Sequence, residues 1–193
     1  MRAVFSGTGP EGRRFSQILF ASGGMGASGK GDGLATTAFP TNAGAGSVEA
    51  LESVAPLVVW KKELAPDSGG AGRYRGGLGQ ECVVENRSGN SMQLSLLSDR
   101  HFNPASGMHG GQAGGTSKIE LSSKRVPHPK SRTTLAAGEK LMLRYAGGGG
   151  FGDPKQRPIA EVEQDVRAGY VSLDQASQIY GKALAISDQD ENG

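Results

Sequence analysis

The chain has 193 residues, with 21 basic and 19 acidic side chains, and its hydrophobic residues make up 36% of the total. This length suits one ordinary domain, and the near balance of charge gives no electrostatic case for binding nucleic acid or an anionic membrane. Glycine is the outlier, at 32 of 193 residues, more than twice its average share of about 7%.

The first third of the chain predicts one helix and one strong strand. Residues 1–14 are polar and rich in glycine, and we expect them to be loose. A short apolar strand at 18–20 runs into a glycine loop, and "LATTAFP" at 34–40 has the small and β-branched residues of a strand. Ser47 is a suitable N-cap for one or two helical turns, and "LVVWKKEL" at 57–64 is the strongest strand prediction.

The middle of the chain predicts more β-structure. Two β-rich runs flank a turn signal at 88–90, which favours a hairpin over 80–98. "SKIELSS" at 117–123 and the run that begins at 140 predict two further strands. The apolar residues that alternate along these runs, and so predict one buried face, are Met92, Leu94, Leu96, Leu141, Leu143 and Tyr145.

The tail changes to helical periodicity. Ile159, Val162 and Val166 fall at i, i+3 and i+7 of a helix that Gly169 can close. A second helix begins at a Ser172 capping box and directs Ile179 and Tyr180 inward. We therefore predict an α+β fold with a β-rich body over 1–157, a helical hairpin over 158–182 and a disordered tail over 183–193.

Cellular location and redox chemistry have simple expectations. No run of about 18 apolar residues is present, and the N-terminal residues lack the apolar core of a secretory signal, so we expect a cytoplasmic protein. Cys82 is the only cysteine and lies in a strand-like run, which indicates a buried structural thiol rather than a nucleophile.

The stretch "APDSGGAGRYRGGLGQE" at 65–81 holds six glycines in seventeen residues. Such glycines can form tight turns between strands, can let another subunit's backbone come close, or can present amides to a phosphate or substrate. No Walker A pattern and no βαβ unit accompany them. The candidate binding residues, with two from the later glycine run, are Asp67, Ser68, Gly69, Gly70, Gly76, Gly77, Gly148 and Gly149.

Two pairs of charged residues are candidates for chemistry. Arg73 and Arg75 would share one face of a strand, where with Asp67 they could form a buried ion-pair network or clamp an anion. Asp99 and Arg100 come at the end of a β run, where functional side chains often emerge, although a structural Asp–Arg pair is the alternative.

The three histidines give no metal-binding pattern. His101, His109 and His128 have no partner histidine two to four residues away. A metal site made within this chain is therefore not expected, and no Ser-His-Asp arrangement is evident.

Four segments of the chain stand out together. They are "SGGMGASGKGDGLATTAFPTN", "PLVVWKKELAPDSGGAGRYRGGLGQE", "SDRHFNPASGMHGGQAGG" and "LAAGEKLMLRYAGGGGFGDPKQRPIAEVEQDVRAGYVSLDQASQIYG", in that order. In this order they resemble the C-terminal portion of the hydantoinase B/oxoprolinase family. The resemblance covers about residues 12–182, and the pairing of "DSGGAGRYRGGLG" with "GGGGFGDP" carries it.

This resemblance implies one part of an ATP-dependent enzyme that opens hydantoin or 5-oxoproline-like rings, with an acetone or acetophenone carboxylase-like subunit or a non-catalytic assembly module as alternatives. ATP and a divalent metal are implied for the whole enzyme, with neither bound by this chain alone. The implied partners are a hydantoinase A-type subunit, the N-terminal B region and a small cyclic amide, and the isolated chain is expected to be inactive. Arg73, Arg75, Asp99 and Arg100 become the candidate catalytic residues, because guanidinium groups suit phosphate and oxyanion charge.

Overall fold

The computed structural model describes residues 2–9, 12–38, 46–182 and 184. It contains eight strands in two antiparallel sheets, followed by a short 3-10 turn at Pro154–Gln156 and two helices. The elements are β1 (Arg2–Thr8), β2 (Arg14–Phe20), α1 (Val48–Val54), β3 (Leu57–Leu64), β4 (Gln80–Asn86), β5 (Met92–Leu97), β6 (Lys118–Leu121), β7 (Lys130–Leu135), β8 (Lys140–Arg144), α2 (Ile159–Arg167) and α3 (Leu173–Gln178). The predicted α+β class is confirmed.

The two sheets bury a common hydrophobic core. The first sheet has the strand order β2-β1-β5-β7 and the second has β3-β4-β8-β6. Period-two alternation directs one face of each strand inward, so that Phe5, Leu94 and Leu141, from both sheets, are fully buried in one cluster. The alternating residues predicted to be buried on β5 and β8, including Tyr145 just beyond β8, all lie in this core.

The prediction that residues 1–14 are loose was wrong. β1 lies inside the first sheet and pairs with both β2 and β5. Its inward positions, Ala3 and Phe5, are fully buried. This strand offers only two inward apolar residues, and its partner β5 is distant in sequence, so long-range pairing overrides a weak local pattern.

The predicted hairpin over 80–98 was also wrong, because β4 and β5 belong to different sheets. The segment between them crosses from one sheet to the other, and Asn86 holds this corner by donating from Nδ2 to the carbonyls of Asn90 and Leu135, at 2.8 and 2.9 Å. A turn signal marks where a chain reverses and does not show whether the flanking strands pair.

Two other strands also differ from the prediction. The strand predicted at 34–40 is absent from the described part of that range, 34–38, where Thr36 has a left-handed φ of 46°. Strand β7 was not predicted.

The helices agree with their sequence signals, with one exception. Ser47 accepts a hydrogen bond from the amide of Ala50 at 3.1 Å, and Ser172 accepts one from Gln175 at 3.2 Å. Val162 of α2 is buried, but Ile159 is exposed because the helix buries a narrower stripe than its periodicity predicted. No helix in the described ranges is long and apolar enough to cross a membrane.

Tyr145 carries an unusual polar group in the core. Its hydroxyl is buried with no hydrogen-bond partner among the described residues, and burial, together with the nearby Cys82, raises the pKa of Tyr145. Burial also raises the pKa of Cys82 to about 11, and that side chain has no exposed surface. The prediction of a buried structural thiol is confirmed.

We expect Tyr145→Phe to leave the free energy of unfolding unchanged or to raise it by about 1–3 kcal/mol, because an unpaired buried hydroxyl costs that much to desolvate. Urea denaturation of the two proteins measures the difference, and Leu143→Ala, which should cost about 2–5 kcal/mol, is the control for ordinary core packing. A clear loss of stability in Tyr145→Phe would show that the hydroxyl has a partner, such as an internal water.

Candidate functional site: a cleft beside a glycine layer

Four glycine-rich segments pack side by side into what we call the glycine layer, defined as residues 23–34, 68–79, 105–115 and 146–152. They have little regular secondary structure, yet their main chains are hydrogen bonded to one another across the layer. Gly77 donates to the carbonyl of Met25 at 2.8 Å, and Gly148 donates to that of Gly77 at 2.9 Å. The layer therefore satisfies its backbone groups as a sheet does, without the pleated geometry of strands.

Close approach of backbones explains most of these glycines. A Cβ atom at Gly24 or Gly148 would lie closer than 3.0 Å to a carbonyl oxygen of another segment, a distance that real Cβ atoms do not adopt. Of the glycines in the layer, only Gly110 and Gly152 have a left-handed φ. The tight-turn interpretation thus applies at few positions, and the backbones that come close belong to this same chain.

A buried ion-pair network fastens α2 to the glycine layer. Arg157 donates to both carboxylate oxygens of Asp32, at 2.8 and 2.7 Å, and to Asp165 at 2.9 Å. Arg75 donates to both oxygens of Asp165, at 3.1 and 3.2 Å, and its guanidinium lies over the ring of Tyr170. Two arginines and two aspartates therefore join the first two segments of the layer to the helical hairpin.

The ionisation of this network is set by the charges within it. Burial would raise the pKa of Asp32, but hydrogen bonds and charge from Arg157 and Arg75 outweigh it and hold that pKa below 3.8. Burial would likewise lower the pKa of Arg157, while Asp32 and Asp165 raise it. Asp32 is therefore ionised and Arg157 protonated at physiological pH, which favours structural stabilisation over proton transfer.

A cleft of about 250 Å³ opens at the edge of the glycine layer beside Asp99 and Arg100. Glycines 23, 24 and 26 of the first segment and 147 and 148 of the last form its walls, together with Ala105, Ser117, Tyr145 and Ala146. This volume lies below the range of about 300–1,000 Å³ typical of pockets for drug-sized ligands. The cleft suits a phosphoryl group, a carboxylate or an oxyanion rather than a whole nucleotide.

Arg100 is the most distinctive residue of the cleft. Its φ of 66° places it in the left-handed region, which costs a non-glycine residue roughly 1–2 kcal/mol. Its carbonyl accepts from the amide of Ser117 at 2.9 Å, and one guanidinium nitrogen donates to Pro104 at 3.3 Å. A guanidinium has five N–H donors, and this is the single hydrogen bond that the Arg100 guanidinium donates among the described residues. Most of its N–H groups therefore face solvent.

The loop that carries Arg100 is fixed by its neighbours. Ser98 is buried, and its Oγ lies 2.8 Å from Nε2 of His101. Burial lowers the pKa of His101, so the ring is neutral near pH 7. Asp99 forms an ion pair with Lys130 at 2.8 Å rather than with Arg100, and the hydrogen bond from Lys130 lowers the pKa of Asp99.

The structure separates the predicted binding residues into two groups. Gly148 lies in the cleft wall, whereas the amides of Gly70, Gly76 and Gly77 donate to carbonyls inside the layer. These contacts support packing rather than phosphate binding. The other four predicted residues also have internal contacts. Gly69 faces the Gly76 carbonyl, and Ser68 Oγ accepts a hydrogen bond from the Gly79 amide. Asp67 accepts a hydrogen bond from the Ser172 amide, and the Gly149 carbonyl accepts one from the Ala27 amide.

The two arginines of the glycine stretch do not share one strand face. Arg73 is exposed and lies over the ring of Tyr74, whereas Arg75 is buried in the ion-pair network. A buried network around Arg75 was predicted, but its acidic members are Asp32 and Asp165 instead of Asp67. A catalytic role for either arginine stays a prediction, and the contacts of Arg75 support a positioning role.

Sequence reasoning missed Asp32, Arg157 and Asp165, and also the first glycine segment as a wall of the cleft. Except for Arg157 and Asp165, which are eight residues apart, the network partners are 43, 90 and 125 residues apart along the chain, so local spacing could not identify the network. The chemistry of the donors does not fit a metal: the described ranges contain no group of three or more His, Cys, Asp or Glu side chains that could hold a metal ion. We therefore assign no step of chemistry to a metal on this chain.

Comparison with known proteins identifies the relatives. Residues 1–154 match the family model described as hydantoinase B/oxoprolinase. Caprolactamase subunit beta of Pseudomonas jessenii is 34% identical over 152 residues, which cover 72% of this chain and 25% of that protein. The chain spans about a quarter of the length of the curated relatives it matches.

Two solved structures share the fold. One is the nucleotide-free structure of an acetone carboxylase, from a study of ATP-dependent acetone carboxylation. The two chains superimpose with a TM-score of 0.83 at 21% identity, and the match covers 97% of this chain and 30% of the other. The crystal structure of the ATP-dependent caprolactamase from Pseudomonas jessenii gives a TM-score of 0.78 at 24% identity, over 100% of this chain and 34% of the other. The fold match extends over the helical hairpin, and the family match covers most of the sequence. This chain belongs to the hydantoinase B/oxoprolinase family.

Proposed function

We propose that this chain is one part of a larger ATP-dependent hydrolase that opens cyclic amides of the hydantoin or 5-oxoproline type, and that the Arg100 cleft holds an anionic group at its active site. The single observation that carries the proposal is Arg100 itself, a strained arginine whose guanidinium is largely free at the mouth of a glycine-walled cleft. Backbone strain of this kind clusters at functional sites. The family match supplies the reaction class.

The cleft suits the charge that such a reaction develops. When bound to the whole enzyme, ATP supplies a phosphoryl group that activates the amide carbonyl toward water. Arg100 would then bind the phosphoryl or oxyanion charge through its planar fork of N–H donors. Because glycines form much of the cleft wall, a small anion in the cleft would lie against main chain.

The neighbouring groups would hold Arg100 in place. The ion pair between Asp99 and Lys130 occupies the carboxylate that would otherwise neutralise Arg100. The contact between Ser98 and His101 anchors the loop on the other side. We propose that these residues position Arg100.

We also propose that the partners of this chain are an A-type subunit and the remaining region of the B subunit. The chain would act with them inside the cell.

Substitution of Arg100 tests the proposal in a complete enzyme that contains this chain. Arg100→Ala should lower turnover of the cyclic amide by about 10²–10³-fold, the typical loss when one oxyanion donor is removed, and Arg100→Lys should restore part of it. Arg167→Ala, an exposed arginine at the end of α2, is the matched control and should leave turnover unchanged. Thermal melting of each variant separates loss of activity from loss of folding, and unchanged turnover in Arg100→Ala would contradict the role of the cleft.

A carboxylase-like subunit is the second candidate, favoured by the fold match to acetone carboxylase. The two reactions separate in one assay, because a carboxylase requires bicarbonate and a ketone whereas a hydrolase requires only ATP, water and the cyclic amide. A non-catalytic assembly module is the third candidate. It would be supported if Arg100→Ala retained full turnover while the chain remained necessary for assembly.

A further inference from the structure

The outer face of the first sheet combines exposed apolar side chains with arginines. We define it as the outward-facing side chains of β1, β2, β5 and β7, which the strand register places in aligned rows. Phe20 and Leu97 lie on either side of Arg2 in one row, and Ile18 is paired with Val4 in the adjacent outward-facing row. Phe20 is 56% exposed and Leu97 51%, which leaves an apolar patch open to solvent.

Basic residues surround this patch, and within the described residues few of them have an acidic partner. None of the four strands contains Asp or Glu. Arg2, Arg14 and Arg132 form no ion pair among the described residues, and Lys130 pairs with Asp99 from the adjoining loop. The face therefore combines exposed apolar area with uncompensated positive charge.

The outer face of the second sheet gives the opposite picture. There Glu81 binds Lys61 and Arg144, both at 2.7 Å, and Glu85 accepts from the indole of Trp60 at 2.6 Å. Those charges are neutralised within the sheet, and Trp60 is as exposed there, at 55%, as Phe20 is on the first sheet. The two faces therefore differ in charge balance rather than in exposed apolar area, and the arginines of the first sheet suit an acidic partner surface.

We propose that the outer face of the first sheet docks a polypeptide surface with an apolar centre and flanking carboxylates, contributed by the remaining region of the full-length enzyme. Exposed apolar patches rimmed by polar residues mark interaction sites, and aromatic and arginine side chains are enriched in interfaces. The relatives contain about three quarters of their length outside the matched segment, which supplies a large partner surface. This inference rests on one element of the proposed function, namely that the chain is one part of a larger enzyme.

Thiol labelling measures whether this face becomes covered. Leu97→Cys and Phe20→Cys are made in the isolated chain and in a complete protein in which this chain replaces the matching segment of caprolactamase subunit beta. In the isolated chain both new thiols should react with a maleimide while buried Cys82 does not. In the complete protein we expect loss of labelling at both positions, whereas Glu120→Cys on the second sheet should label in both forms. Equal labelling of Leu97→Cys in the two forms would overturn the proposal.

Binding in trans provides a second measurement that does not need the chimera to fold. The isolated chain should bind the separately produced remainder of caprolactamase subunit beta, more weakly as salt rises, and Phe20→Glu or Arg132→Glu should abolish or weaken that binding. Absence of binding, or binding unaffected by both substitutions, contradicts the proposal, as does binding to anionic phosphatidylserine vesicles alone. Arg100→Ala should bind as well as the wild type, so this result stands apart from the test of the cleft.

Discussion

Replacing Gly148 by alanine should severely destabilise the protein. The new Cβ would overlap the carbonyl of Met25 and the main chain that follows it, and neither can move without breaking hydrogen bonds of the glycine layer. We expect a loss of about 4 kcal/mol or more, the range reserved for severe steric or backbone defects. At about 2–4 °C per kcal/mol, thermal melting should shift down by about 8 °C or more.

A second glycine in the same layer is the matched control. Gly31 has nothing within 4 Å of the position that a Cβ would occupy, and its φ is not left-handed. Gly31→Ala should therefore change the free energy of unfolding by less than about 1 kcal/mol, and a small gain is expected from the less flexible unfolded chain. Similar melting of the two variants would show that close backbone approach is not why the layer contains glycine.

Arg157→Ala should produce the second large effect. Arg157 is 2% exposed and holds both Asp32 and Asp165, so its loss leaves the buried carboxylate of Asp165 and the partly exposed carboxylate of Asp32 with Arg75 as the remaining basic member of the network. Breaking a buried ion pair from one side costs about 3–5 kcal/mol, because the partner charge stays buried without compensation. Urea denaturation of Arg157→Ala measures this cost directly.

An exposed arginine provides the comparison for Arg157. Arg167, at the end of α2, is exposed, and exposed charges contribute about 0–1 kcal/mol. Arg167→Ala should therefore change the free energy of unfolding very little. If Arg157→Ala were equally mild, the network could not be what fastens the helical hairpin to the glycine layer.

Local signals predicted the strands and helices well where the pattern was dense. β3, with its run of apolar and β-branched residues, and α1, with its serine cap, both appear at the expected places. β1 and β7 did not, because each has few inward apolar residues and depends on pairing with β5. Pairing partners distant in sequence decide such strands, and one sequence does not reveal them.

The candidate site was predictable in part for the same reason. The position of Asp99 and Arg100 at the end of a β run pointed to the correct loop, and the later glycine run contributed Gly148. The first glycine segment joined the cleft only through tertiary packing. The buried network required Asp32 and Arg157 to meet across 125 residues, which no spacing rule anticipates.

Titration with inorganic phosphate tests the central claim most directly, namely that the Arg100 cleft binds an anion. In ¹⁵N-labelled protein at constant ionic strength, the account predicts saturable shifts of the amide resonances of Arg100, Gly147 and Gly148. The resonance of Gly31 should not move, and Arg100→Ala should abolish the response. Shifts that do not saturate, or that persist unchanged in Arg100→Ala, would contradict the assignment of this cleft as the anion site.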